Sequence, residues 1–250
     1  KKRSCFISLF LKGKKSILLQ SKGLELLSKI FKYKSVINYE LQNQLKNFSF
    51  LASKLNFNID TNKIDIYKNY IFSKTYNFDR KYILIHLDEK WFQKLYYKDF
   101  TDINPSKDDL FKLIDNIKKL NNFSHDIVIT TGAKKLDIIN EIIHNFKNIE
   151  KNIYIKKFDE ISVKLLVDTS FNELEFVVKK SSFLICCEGG VSHASNGFNV
   201  KTLAFYQKNR LQHTKYWTGH MNNLVLYERK NIKNVINDAQ FYKIIEENIR

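Results

Sequence analysis

The chain has 250 residues, of which 44% are hydrophobic, and it carries a formal net charge of +16. This length and apolar content fit one large or two small globular domains and exclude a disordered chain. No uninterrupted apolar run approaches the roughly 18 residues that a membrane-spanning helix needs, and no secretion signal is recognisable, so the sequence predicts a cytoplasmic protein.

The positive charge comes almost entirely from lysine. The only arginines in the sequence are Arg3, Arg80, Arg210, Arg229 and Arg250. Because arginine is the residue that reads bases with two hydrogen bonds, its scarcity argues against sequence-specific nucleic-acid binding. A lysine-rich nucleic-acid binder stays as a less favoured alternative. A strongly basic surface is also attracted to anionic lipid headgroups and phosphate-bearing substrates, so peripheral contact with an anionic membrane is a further expectation.

The three cysteines predict a reducing environment rather than a disulfide framework. They are Cys5, Cys186 and Cys187, an odd number that cannot be fully paired. Adjacent residues of a strand point to opposite faces, so Cys186 and Cys187 are not placed to act together. Without a second cysteine pair at finger-like spacing, we expect no metal site.

From Lys81 onward, short apolar runs alternate with amphipathic stretches, as in repeated strand and helix units. The predicted strands are Tyr82–His86, Asp126–Thr130, Phe183–Cys187 and Thr202–Tyr206, with 153–155 or 163–167 supplying another. The predicted helices are Lys107–Leu120, Lys134–Phe146, Asn172–Lys180, Val191–Phe198 and Ala239–Ile249. This alternation predicts a doubly wound α/β sheet. The aromatic stretch His213–His220 is interpreted as a loop that packs the helix Ala239–Ile249 against the sheet, with a role in shaping the acceptor or donor pocket as the alternative.

Doubly wound sheets bind ligands at the carboxyl ends of their strands. This rule brings three segments around one crevice: His86–Lys94, Thr130–Gly132 and Glu188–His193. Every α/β domain has loops at this edge, so their position alone does not assign a ligand. The switch-point rule nevertheless favours a nucleotide-like ligand.

The most informative segment is the turn Glu188–Ala194, which directly follows the apolar run Phe183–Cys187. The paired glycines Gly189 and Gly190 let the backbone approach a ligand without a Cβ in the way. If Val191 then begins a helix, its free N–H groups favour a phosphate or another anion. The alternative is an ordinary strand-to-helix turn in which glycine serves geometry alone.

This turn resembles a loop of the lipopolysaccharide heptosyltransferase family, glycosyltransferase family nine, in which an acidic residue, glycine and histidine precede a small-residue helix. The later strand Lys201–Tyr206 and the blocks Ile83–Phe100 and Ile127–Gly132 are also similar to the family. The resemblance implies a GT-B-like fold with a doubly wound, mostly parallel sheet in its C-terminal domain. The predicted domains are a partial N-terminal, acceptor-side α/β domain over 1–75 and a nucleotide-sugar-binding, Rossmann-like domain over 76–250.

The resemblance also implies an activity. It is the transfer of a heptose from an ADP-linked donor to a lipopolysaccharide-type, phosphorylated glycolipid acceptor, with inversion, at the cytoplasmic face of the inner membrane. The donor is a substrate, and the family implies neither a metal nor a cofactor. The acidic residue thought to act as base lies in the family's first glycine-rich loop, which would fall upstream of Lys1, so no catalytic base is assigned. A truncated or degenerate GT-B domain that binds a nucleotide sugar without catalysis is the alternative.

The resemblance assigns donor-binding roles at the crevice. A lysine would stabilise the departing diphosphate, with Lys94 as the first candidate and Lys90 as the alternative. In a chain this rich in lysine, the other reading of either residue is a solvated surface cation. Thr131 would contact phosphate or ribose. Asp88 and Glu89 could contact sugar hydroxyls, although adjacent loop carboxylates are usually solvated.

Within the turn, Gly189, Gly190 and Ser192 would present N–H groups or a hydroxyl to the diphosphate. Glu188 would accept hydrogen bonds from sugar hydroxyls, and His193 would either donate to the phosphate or pack locally. The sequence departs from the family at two positions, with Glu188 where aspartate is usual and Lys201 where proline is usual.

Overall fold

The computed structural model describes residues 49, 52, 53, 57, 71–95, 101–132 and 134–249, excluding the side chains of 93–95. The chain divides into two compact units. One comprises Lys1–Ile64 with Lys215–His220, and the other comprises Asp65–Thr214 with Met221–Arg250. In the first unit, the rings of Tyr216 and Trp217 meet edge to face at 5.4 Å. The domain boundary at residues 75 and 76 stays a prediction.

The second unit is built on a sheet of eight strands with the order β3-β4-β5-β2-β1-β6-β7-β8. The strands are β1 (Tyr82–Leu87), β2 (Asp126–Thr131), β3 (Lys147–Glu150), β4 (Ile153–Phe158), β5 (Ile161–Leu166), β6 (Phe183–Cys187), β7 (Lys201–Tyr206) and β8 (Leu224–Glu228). The six strands from β5 to β8 in this order run parallel, whereas β3 and β4 add an antiparallel edge. The prediction of a mostly parallel sheet is confirmed.

Helices connect the strands on both faces of the sheet. They are α1 (Lys107–Lys118), α2 (Asp137–Ile143), α3 (Phe171–Lys180), α4 (Gly190–Gly197), α6 (Ile232–Ile236) and α7 (Ala239–Asn248). A further helix, α5 (Leu211–Thr218), begins in this unit, and its residues from Lys215 onward belong to the first unit. Two of them begin with capping boxes, Ser106 with Asp109 and Ser170 with Glu173, which satisfy N–H groups that a helix start leaves free. None of the described helices is both long and apolar enough to cross a bilayer.

The core has two layers because alternate strand residues point to opposite faces. Ile83, Ile85 and Cys187 belong to the layer that packs against α1, α2, α6 and α7. Leu84, Leu184 and Cys186 belong to the layer under α3 and α4. The adjacent cysteines therefore lie on opposite faces of β6, as predicted.

The strands predicted as alternatives, 153–155 and 163–167, turn out to be part of two strands. They pair antiparallel as a β4–β5 hairpin, and Asp159 in its turn has a positive φ of 51°. The edge strand β8 was not predicted. The interpretation of His213–His220 as a loop was wrong, since α5 runs from Leu211 to Thr218. The segment Leu211–Thr218 contains no glycine or proline that would interrupt the backbone hydrogen bonds of a helix, and Gly219 follows directly after it.

Candidate functional site

The candidate site lies at the carboxyl ends of β1 and β6, which are neighbours in the centre of the sheet. From this pair the chain order runs outward in both directions, through β2 and β5 on one side and through β7 and β8 on the other. The order reverses between β1 and β6, which is the place where open α/β sheets hold their ligands. The predicted segments after these two strands therefore flank the switch point.

The turn after β6 is held by one hydrogen bond to β7 and by hydrogen bonds within the turn itself. The N–H of Glu188 donates to the carbonyl of Phe205 at 3.1 Å. The buried hydroxyl of Ser192 donates to the carbonyl of Gly189 at 2.8 Å and accepts from the Gly189 N–H at 3.2 Å. Helix α4 then begins at Gly190, which is exposed. The N–H groups of its first turn consequently face the end of the sheet where the crevice opens.

Lys90 bridges the two sides of the switch point. Its ammonium donates to the main-chain carbonyl of Glu188 at 3.1 Å. The same ammonium would collide with a Cβ placed on Gly189. Gly189 has an extended backbone, with φ 161° and ψ −160°, so its lack of a side chain serves this close approach and not a special conformation. A half-buried cation is thus fixed beside the glycine turn.

The segment after β1 also contains buried titratable groups. Burial, together with the nearby Lys90, lowers the pKa of His86 to about 3, so this histidine is neutral near pH 7. Its Nδ1 lies 3.0 Å from the hydroxyl of Thr130. Burial also raises the pKa of Asp88 to about 6, although the Lys90 charge opposes that shift. A buried carboxyl with a raised pKa at the carboxyl end of a central strand is typical of a functional site.

Asp88 is held close to both neighbouring segments. Its Oδ1 accepts from the Lys90 N–H at 3.1 Å. A Cβ on Gly132 would lie 2.9 Å from the Cβ of Asp88, so the loop after β2 needs a glycine to pass this carboxylate. The two loops therefore pack directly against each other beside the switch point.

Three other residues that were predicted to bind the donor are Thr131, His193 and Lys94. The buried hydroxyl of Thr131 accepts from the Asp168 N–H at 3.3 Å. His193 is half-buried on α4, where its N–H makes the 3.3 Å bond to Gly189 that begins the helix. The backbone of Lys94 lies in the 3-10 segment Glu89–Leu95, but its side chain is outside the described residues. Their donor-binding roles stay predictions.

Two further residues at this edge were not predicted. Arg229, directly after β8, is 5% exposed and donates to the carbonyl of Lys90 and to the Cys187 sulfur. Phe171, the first residue of α3, is 54% exposed and lies 3.9 Å from a Cβ built on Gly190. Neither belongs to a sequence motif, and only the fold brings them to the crevice.

Among the described residues, no three His, Cys, Asp or Glu side chains are grouped so that they could hold a metal ion.

Comparison with known proteins identifies the family. The family model for glycosyltransferase family 9 (heptosyltransferase) matches residues 2–244. The chain belongs to glycosyltransferase family 9. This confirms the resemblance drawn from the glycine turn. No protein in the curated set matches the chain in sequence.

Solved structures support the fold of this family 9 chain. It is similar to Escherichia coli heptosyltransferase WaaC with ADP-2-deoxy-2-fluoro heptose, with 13% identity, a TM-score of 0.54 and coverage of 89% of this chain and 61% of that chain. It is also similar to a family 9 glycosyltransferase from Veillonella parvula DSM 2008, with 9% identity, a TM-score of 0.58 and coverage of 98% and 72%. These neighbours are GT-B glycosyltransferases, so the predicted GT-B-like α/β fold is confirmed.

Proposed function

We propose that this protein transfers a sugar from a nucleotide-sugar donor, with the diphosphate held between Lys90 and the start of α4. The observation that carries the proposal is the Lys90 ammonium 3.1 Å from the Glu188 carbonyl, across the switch point of the sheet. The cation and the helix N-terminus both favour a negatively charged group at this place.

The chemistry follows from the charge that develops during transfer. When the bond between the anomeric carbon and the diphosphate breaks, negative charge grows on the leaving oxygen. Lys90 and the N–H groups of the first turn of α4 would stabilise that charge because they are already in place. Lys94 remains a second candidate for this role, and Thr131 and His193 remain candidates for phosphate contacts. The acceptor hydroxyl must lose its proton to a base, for which we assign no residue.

Two neighbouring side chains would contact the sugar and the nucleoside of the donor. The Glu188 carboxylate is half-buried at the end of β6 and would accept hydrogen bonds from sugar hydroxyls. Phe171 offers an exposed ring beside Gly190, which suits packing against the nucleoside. No cofactor enters this scheme, because the donor is consumed as a substrate.

Family membership supports ADP-heptose as the donor and a lipopolysaccharide-type or related envelope glycan as the acceptor. WaaC, one of the structural neighbours, was solved with an ADP-heptose analogue. We propose inversion at the sugar carbon without a metal. The net charge of +16 would favour a phosphorylated glycolipid at the anionic cytoplasmic face of a membrane.

Calorimetric titration with ADP, UDP and GDP and with their sugar conjugates tests the proposal. We expect saturable binding with a preference for the ADP-linked sugar, and the absence of binding to every ligand would overturn it. Release of ADP in the presence of a phosphorylated core acceptor then distinguishes transfer from binding alone. Donor binding without ADP release would favour a domain that only holds the nucleotide sugar. Activity that disappears with EDTA would contradict the metal-free scheme.

A further inference from the structure

We propose that Arg229 is a positioning residue that fixes Lys90 in the orientation in which its ammonium meets the diphosphate, an inference that rests on the proposed function. Arg229 follows β8, two strands away from β6 in the sheet. Its side chain reaches the segment that follows β1, where it donates to the carbonyl of Lys90.

The guanidinium ties three parts of the chain together. Its Nε donates to the carbonyl of Thr101 at 3.0 Å, and its Nη1 donates to the Cys187 sulfur at 3.2 Å. Its Nη2 donates to the main-chain carbonyl of Lys90. The planar fork of arginine can make these contacts together in one fixed geometry, whereas the ammonium of lysine is a single point on a longer, more mobile stem.

The position of Lys90 is therefore determined from two sides. Its carbonyl is held by Arg229, and its N–H is held by the carboxylate of Asp88 at 3.1 Å. With the backbone fixed in this way, the side chain extends over Gly189 to the Glu188 carbonyl. A shift of the backbone at Lys90 would carry the ammonium away from the turn.

The burial of Arg229 has an energetic cost that packing alone does not explain. It is 95% buried, and within the described part of the chain it forms no ion pair with a carboxylate, since its partners are two carbonyls and a thiol. Burying a cation whose hydrogen-bond acceptors are all neutral carries a desolvation penalty that an apolar side chain would avoid. The nearby carboxyl of Asp88 offsets part of that penalty, since the Arg229 charge acts against the rise in the pKa of Asp88. A diphosphate bound at Lys90 would bring negative charge towards this cation and offset part of that penalty.

Arg80 provides a matched control at the opposite end of the sheet. It also donates to two main-chain carbonyls, those of Glu160 and Ser124, at 2.5 and 2.7 Å. It precedes β1, whereas the crevice follows that strand. Arg80 also forms a 3.8 Å ion pair with Asp126. A substitution of Arg80 therefore removes two main-chain contacts and this ion pair without touching Lys90.

A double-mutant cycle on ADP affinity tests the inference in the full chain. We expect Arg229→Lys to weaken ADP binding about five- to tenfold in the wild-type background, because charge is kept but the fork is lost. In the Lys90→Ala background the same substitution should change affinity less than about twofold. Equal losses in both backgrounds, or no loss in the wild type, would overturn the inference. Arg80→Lys should leave affinity unchanged in both.

Two additions keep the test decisive. Arg229→Met fills the stem volume without burying a charge, so it serves where Arg229→Lys folds poorly, and we expect the same pattern. The second addition needs no ligand: pulsed acetylation read by peptide mass spectrometry should modify Lys90 at least about threefold faster in the Arg229 variants than in wild type. An unchanged rate would refute positioning. A wild type that binds no nucleotide would refute the proposed function, and the acetylation rate alone would then decide the role of Arg229.

Discussion

The ammonium of Lys90 lies 3.1 Å from the main-chain carbonyl oxygen of Glu188, although the two residues belong to different strand ends. This contact joins the segments that follow the neighbouring strands β1 and β6, where the strand order of the sheet reverses. It places a cation next to a turn that has no side-chain bulk.

Replacing Lys90 by alanine should weaken ADP binding about 10- to 100-fold, since a hydrogen bond to a charged group contributes roughly 1.5–3 kcal/mol. Calorimetry measures the effect. Lys81→Ala is the control, because Lys81 is exposed directly before β1, whereas Lys90 follows that strand. Equal affinities of the Lys90 variant and wild type would remove the lysine from the site.

Replacing Gly189 by alanine should displace the Lys90 ammonium, because the new Cβ would occupy its position. The extended backbone accepts alanine, so we expect the fold to persist while ADP affinity falls about tenfold, in line with a lost charged hydrogen bond. In the Lys90→Ala background, the same change should have little further effect. A second full loss there would mean that the Cβ meets the ligand itself.

Replacing Glu188 by glutamine should weaken binding of the nucleotide sugar about tenfold and leave ADP binding within about twofold. The Lys90 contact uses the main-chain carbonyl of Glu188, so the substitution does not remove it. Titrations of both ligands against the variant measure the difference. Glu228→Gln, at the end of β8, is the control. Equal losses for the two ligands would show that the carboxylate does not contact the sugar.

Replacing Asp88 by asparagine should stabilise the protein at neutral pH. Burial raises the pKa of Asp88 from 3.8 to about 6 in the folded protein. This group therefore favours folding only while protonated, and the contribution is lost as pH rises from about 4 to about 6.

The asparagine variant should be more stable than wild type by up to about 3 kcal/mol at pH 7, with the difference vanishing near pH 4. Urea unfolding followed by circular dichroism at both pH values measures it. Asp137→Asn, an exposed position at the start of α2, should show no such gain. A gain that is the same at both pH values would contradict the raised pKa.

Much of the fold was predictable because its central strands are short, continuous apolar runs. β1, β2, β6 and β7 are all buried in the middle of the sheet, and each was recognised from its sequence. The edge strand β8 is half-exposed along most of its length, which leaves no such signal. Residues 153–155 and 163–167 looked like competing strands because sequence alone does not show that they form one hairpin.

The candidate site was only partly predictable. The glycine turn was recognised because its residues follow a short motif at fixed spacing. Lys90 was named only as the alternative to Lys94, through the family resemblance, and both assignments stay predictions. Arg229 was not found, since an isolated arginine after an unrecognised strand carries no local signal. Its contacts with Thr101, Cys187 and Lys90 join segments far apart in sequence. Phe171 was not found either, because its exposed ring lies beside Gly190 only through the packing of α3 beside α4.

The central position of β1 also bears on how a nascent chain acquires this crevice. Ile83 pairs with Ile127 on one side and with Phe183 on the other. While the ribosome is still adding residues before β6, β1 has only one neighbour, and its second edge is open to wrong partners. The candidate site can therefore form only after both flanking strands have emerged.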